Sequence, residues 1–136
     1  MSKTTPTVQK YMTATPVTVR PDLPLAAADK LMHEHNIRHL PVLSSGRLVG
    51  LVSQRDVRLI ETLKDVDPKV VSVEEAMSQD IYEITSDTPL EEVATNMASH
   101  KYGSAVVVDS GKVVGIFTTV DAMKALVELL HARRGH

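Results

Sequence analysis

Apolar positions along this chain follow two periods in turn. Leu25, Ala28, Leu31, Met32 and His35 form one helical stripe, and Leu90, Val93, Ala94, Met97 and His100 form another. Pro24 and Pro89 stand where a first-turn proline favours a helix start, with Asp22 and Asp87 expected near the N-caps. After each stripe come two short apolar runs. Residues 39–43 and 47–52 flank Ser44-Ser45-Gly46, and residues 104–108 and 112–117 flank Asp109-Ser110-Gly111. Two such runs around a glycine-containing reversal predict a β-hairpin. Their near-continuous apolarity predicts burial on both faces. Pro41 donates no ladder hydrogen bond, which predicts an edge at that point. Val17-Thr18-Val19 and Tyr82-Glu83-Ile84 read as short extended segments ahead of the helices. Second helices are predicted at about 54–63 and 119–131, with Ser53 and Thr118 as N-caps.

These elements are one unit written twice. Displacing the chain by 65 positions without gaps brings Met12 onto Met77, Asp22 onto Asp87 and Pro24-Leu25 onto Pro89-Leu90. Met32, His35, Val42, Gly46, Val49-Gly50 and Asp56 fall on Met97, His100, Val107, Gly111, Val114-Gly115 and Asp121. The reading is a duplicated α/β (α+β) subdomain of order β-α-β-β-α. Residues 8–64 and 73–132 form the copies, joined by a linker at 65–72. A flexible start at 1–7 and a tail at 133–136 complete the division. Each copy is too small for an ample core, so the two are expected to fold as one body.

Composition narrows the function. Of 136 residues, 43% are hydrophobic but only four are aromatic (Tyr11, Tyr82, Tyr102 and Phe117), so the core is aliphatic. The absence of cysteine excludes disulfides, thiolate metal sites and a cysteine nucleophile, and fits a reducing, cytoplasmic setting. No apolar run is long enough to span a membrane, and none near the start resembles a signal-peptide core. The net charge of −2 argues against nucleic acid as a partner. Residues 1–65 carry nine Lys/Arg and six Asp/Glu, and residues 66–136 carry six and eleven, so an anionic ligand is expected to feel the halves differently. No P-loop or nucleophile motif is present, so no catalytic residue and no enzyme activity are expected. His33 and His35, two apart on a helix, point in different directions, and no metal site is expected.

The strand part of each copy closes on Gly-apolar-apolar-Ser/Thr-x-x-Asp. It reads Gly50-Leu51-Val52-Ser53-Gln54-Arg55-Asp56 and then Gly115-Ile116-Phe117-Thr118-Thr119-Val120-Asp121. Ile37-Arg38-His39-Leu40-Pro41-Val42 precedes the first, and Met12-Thr13-Ala14-Thr15-Pro16-Val17-Thr18-Val19 opens the chain. Taken together over residues 8–126, this resembles a tandem pair of CBS domains, a Bateman module. The resemblance implies two copies about a pseudo-twofold axis with clefts between them. It also implies an adenine nucleotide (AMP, ADP or ATP) as regulatory ligand with no required cofactor, a homodimer, and an effector protein of unknown identity. One cleft would use Ser53, Asp56, Leu51, Arg38 and His39, with Ile81 and Tyr82 as walls. The other would use Ile116, Thr118 and Asp121, with Thr15, Pro16 and Val17.

The chemistry agrees with these roles. A ribose diol needs a carboxylate acceptor, and phosphate needs Arg, Lys, His or a helix N-terminus. Arg38-His39 is replaced by Gly103-Ser104 in the second copy, so the Asp56 cleft is expected to hold a phosphorylated ligand better. Ser-x-x-Asp is equally the pattern of a plain capping motif. A ligand-free dimerisation scaffold, or a binder of S-adenosylmethionine or another adenosyl compound, therefore stays open.

Overall fold

The computed structural model describes residues 5–134. The first four residues of the expected flexible start and the last two of the expected tail lie outside the described residues. In chain order the elements are β1 (Thr13–Ala14), α1 (Leu25–His35), β2 (His39–Ser44), β3 (Arg47–Ser53) and α2 (Gln54–Glu61). Then come α3 (Val73–Ala76), β4 (Glu83–Ile84), α4 (Leu90–His100), β5 (Ser104–Asp109), β6 (Lys112–Thr118) and α5 (Thr119–Arg134). A 3-10 turn at Val8–Lys10 precedes them.

Two compact units cut across the two sequence copies. A central unit runs from Pro16 to Ile81, and a terminal unit joins the residues up to Thr15 to those from Tyr82 onward. Each unit therefore combines the hairpin and helices of one copy with the lead-in segment of the other. Regrouped this way, the charge asymmetry of the sequence halves disappears. Residues 16–81 carry eight Lys/Arg and ten Asp/Glu, and the remainder carries seven of each.

In the terminal unit four strands lie in the order β1-β6-β5-β4. β5 and β6 form the antiparallel hairpin, β1 pairs antiparallel to β6 through Thr13 and Ile116, and β4 runs parallel to β5. The core comprises Ile84, Ala105, Val107 and Phe117 from the sheet, Leu90, Val93 and Met97 from α4, Ala125 from α5, and Val8. The lead-in is held by backbone bonds from Val8 to Thr88 and from Leu90 to Pro6, both 2.9 Å.

The central unit repeats this plan with shorter outer strands. β2 and β3 form the hairpin, Val19 bridges Val42 in parallel, and Ser78 bridges Leu51 antiparallel. Pro41 explains one shortening. Its counterpart Val106 donates a backbone bond to Tyr82 at 2.9 Å and so completes β4. Pro41 has no N–H to give the equivalent Val17, so the expected segment 17–19 contracts to one bridge. The residues between the copies are packed into this unit. Leu25 and Ala26 donate to the carbonyls of Val71 and Pro68, and Val73 is fully buried beside Leu25, Met32 and Val57.

The hairpins follow expectation, with tighter turns. Ser45-Gly46 and Ser110-Gly111 are two-residue reversals in which all four residues have positive φ, as the type I′ turn of a twisted hairpin requires. Consecutive burial of Leu40, Pro41 and Val42, and of Ser104 through Val107, matches their apolar runs.

The helix starts differ from expectation. Pro24 and Pro89 have extended ψ and are the N-caps of α1 and α4, not first-turn residues. Neither helix has a side-chain cap: Asp22 pairs with Arg20, and Asp87 accepts from the Thr85 hydroxyl. α2 ends at Glu61, two residues early. α5 runs on to Arg134 instead of fraying from His131, its last turn carrying His131, Arg133 and Arg134 where basic groups offset the helix dipole.

Candidate ligand site

β3 hands directly over to α2 at Ser53, and this junction organises the central unit's candidate site. Ser53 is extended and accepts a bond from the Asp56 N–H at 3.2 Å through its hydroxyl. The Ser53 N–H and hydroxyl donate to Asp56 Oδ2 at 2.8 and 2.9 Å. Two of the helix's orphan N–H groups are thereby satisfied reciprocally. The capping reading is correct, and it still leaves Asp56 Oδ1 without a donor among the described residues. The side chain is half-buried at the positive end of the helix dipole.

The hairpin register brings a guanidinium and an imidazole to this junction. His39 lies opposite Ser53, and the N–H of Gln54, first in α2, donates to the Arg38 carbonyl at 2.9 Å. Arg38 is exposed and His39 half-buried. Burial holds the His39 imidazole below its ordinary pKa, the Asp56 charge pulls it back up, and Arg38 adds to the lowering. Leu51 shares the strand face of Ser53, two residues before it, and is half-buried. Pro16, Val17 and Ile81 also belong to the central unit, with Val17 packed on its core.

The terminal unit builds the same junction with a different outcome. Thr118 and Asp121 cap α5 through bonds of 3.0 Å from the Thr118 N–H, 3.2 Å from its hydroxyl and 3.3 Å from the Asp121 N–H. Here the carboxylate has a further donor. Thr13 Oγ1 lies 3.1 Å from Asp121 Oδ1 and 3.3 Å from Oδ2, and Asp121 is 8% exposed. Ile116 is buried in β6, and Gly103 and Ser104 stand where the central unit has Arg38 and His39. Thr15 is exposed at positive φ and donates to Val114. Tyr82 stacks on Tyr102 with ring centroids 5.2 Å apart, and its hydroxyl accepts from Asn96 Nδ2 at 3.0 Å.

Within single units, therefore, Arg38, His39, Leu51, Ser53 and Asp56 converge, and so do Thr118, Asp121 and the strand carrying Ile116. Thr13 was not foreseen. Its only sequence signal is that the 65-residue offset pairs it with another hydroxyl residue, Ser78, each directly after a matched methionine.

The CBS domain family model matches residues 8–60 and 73–128. The chain belongs to the CBS domain family. The CBS domain-containing protein YhcV of Bacillus subtilis is 32% identical over 114 residues, which cover 84% of this chain and 81% of YhcV. Among solved structures, the CBS domain pair of protein MJ0100 in complex with 5-methylthioadenosine and S-adenosyl-L-methionine superposes with a TM-score of 0.83. It is 26% identical, and the match covers 92% of this chain and 98% of that one. CBSX2 in complex with AMP superposes with a TM-score of 0.80 at 26% identity, covering 91% and 97%. Some relatives are far longer. The L-aspartate semialdehyde sulfurtransferase of Methanocaldococcus jannaschii is 29% identical over 116 residues, but the match spans only 22% of its length. Among the described residues of this CBS pair, no helix is long and apolar enough to cross a membrane.

Proposed function

We propose that this CBS pair is a regulatory sensor of adenine nucleotide, with its principal site built on Asp56 of the central unit. Asp56 accepts the ribose hydroxyls, Ser53 stands beside the sugar, Leu51 supports the base, and Arg38 and His39 face the phosphate. Ile81 is a further wall residue of this reading. Thr118, Asp121 and Ile116 mark the matching junction of the terminal unit, which is not the principal site. The observation that carries the reading is Asp56 Oδ1, without a donor among the described residues, at a helix N-terminus flanked by Arg38 and His39. The AMP complex of CBSX2 supports the ligand class. The chain acts on a partner protein rather than as a catalyst, and it works as a homodimer. A ligand shifts such a module only through unequal affinity for its two states.

Titration calorimetry with AMP, ADP, ATP and S-adenosylmethionine tests this. AMP binding that weakens at least about tenfold, or ~1.4 kcal/mol, in Asp56→Ala is expected. Unchanged affinity in that variant would remove Asp56 from the site. No binding of any of the four at millimolar concentration would favour the scaffold reading.

A further inference from the structure

The two Ser/Thr-x-x-Asp junctions have the same local geometry but differ in what reaches the carboxylate from elsewhere in the chain. Asp121 receives the Thr118 N–H and hydroxyl on Oδ2, and the Thr13 hydroxyl sits within reach of both of its oxygens. Among the described residues, Asp56 receives only Ser53, on Oδ2 alone.

The cause lies in the lead-in segments. Thr13 pairs with Ile116 and Ser78 with Leu51, so the two hydroxyl residues occupy matching places two residues before the capping Thr118 and Ser53. The next residues diverge. Ser78 Oγ accepts from the Asp80 N–H at 3.2 Å and donates to the Asp80 carbonyl at 3.5 Å, a local turn that engages the proton Asp56 would need. At the position matching Asp80 stands Thr15, whose positive φ directs its own N–H to Val114, leaving Thr13 free to reach Asp121. A threonine hydroxyl placed across both carboxylate oxygens makes the interaction that a sugar hydroxyl would make.

We infer that Thr13 is a built-in occupant of the Asp121 carboxylate, so that this chain presents one diol-accepting acid, Asp56, and takes one ribosyl ligand per chain. This rests on the reading that a carboxylate at this junction accepts the ribose diol. Thr13 is then a specificity-determining residue: its hydroxyl closes one of two duplicated sites to ribosides.

The test combines AMP stoichiometry with a stability cycle on the full chain. Wild type is expected to bind one AMP per chain. Thr13→Val, which keeps the side-chain shape and removes the hydroxyl, is expected to bind two, and adding Asp121→Asn to Thr13→Val returns the count to one. Thr13→Ser keeps the hydroxyl and stays at one. Without ligand, the unfolding midpoints of Thr13→Val, Asp121→Asn and the double variant are expected to be non-additive. Two AMP bound to wild type, one bound to Thr13→Val, or additive midpoints would each overturn the inference. If wild type binds no AMP, the Asp56 reading fails. The cycle then decides the Thr13–Asp121 clasp alone, additive midpoints overturning it and non-additive ones upholding it.

Discussion

Met77 lies against Gly50 so closely that a Cβ on that glycine would stand 2.2 Å from the methionine Sδ. Met12 meets Gly115 in the same way, at 2.4 Å. Each glycine is the mid-strand notch that receives the methionine of a lead-in segment, and the methionine sets the register of the adjoining bridge at Ser78 or Thr13. Gly50→Ala is expected to destabilise the fold by about 1–3 kcal/mol through overpacking. Adding Met77→Ala is expected to recover part of that loss. Urea unfolding of the two single variants and the double variant measures the coupling, and additive losses would separate the pair.

Asp56→Ala removes the reciprocal cap of α2 along with the proposed diol acceptor. The cap contribution is expected at about 1 kcal/mol of stability. Asp56→Asn retains acceptor oxygen and is expected to lose less stability while still weakening AMP. Chemical denaturation beside calorimetry distinguishes the two roles, since a cap-only Asp56 would show the stability loss with unchanged AMP affinity.

His39 titrates below its ordinary value because burial disfavours the imidazolium. The unfolded chain binds that proton more readily, so the contribution of His39 to stability is present above about 6.5 and declines as pH falls through that value. A bound phosphate is expected to raise the His39 pKa, making AMP binding take up a proton near neutral pH. An NMR titration of the imidazole with and without AMP reads both effects. An unmoved His39 would take it out of the phosphate contact.

Asp109 clamps the loop before α4. It accepts from the Ser86 hydroxyl at 2.6 Å and from the Ser86 N–H at 3.0 Å, and these bonds hold its pKa below the ordinary carboxylate value. A lowered folded pKa gives stability that is present above the unfolded value, near 3.8, and is lost as pH falls through the folded one. Ser86→Ala removes the larger cause and is expected to flatten the acid limb of the melting temperature against pH, with little change in its shape at neutral pH.

The outward side of α5 leaves Val120, Met123, Leu126, Val127, Leu129 and Leu130 between 42% and 55% exposed. So many large apolar side chains on one helix support the proposed homodimer. Leu126→Glu with Leu130→Glu is expected to shift sedimentation from dimer to monomer without loss of helical content. A wild type that sediments as a monomer would withdraw the dimer.

Much of this architecture was legible because its causes are local. Hairpin reversals need Gly46 and Gly111, caps need Ser53 with Asp56 and Thr118 with Asp121, and apolar spacing marks α1 and α4; all act within a few residues. The misplaced details have local competitors. Pro24 and Pro89 took the cap positions with extended backbone, and Asp22 and Asp87 found Arg20 and Thr85 instead of the helix ends.

The sequence by itself determined two copies of a β-α-β-β-α unit, the serine or threonine junction in each, and the Arg38-His39 pair in only one. Tertiary structure alone decided which lead-in joins which hairpin. The repeat cannot choose, because Met12 and Met77 are the same residue, as are Gly50 and Gly115, and either pairing would satisfy the pattern. Packing joins Met77 to Gly50 and Met12 to Gly115, which dissolves the charge asymmetry of the sequence halves. It also brings Thr13 to Asp121 across 108 residues. That long-range contact adds to the Arg38-His39 difference a second one, at the carboxylate itself.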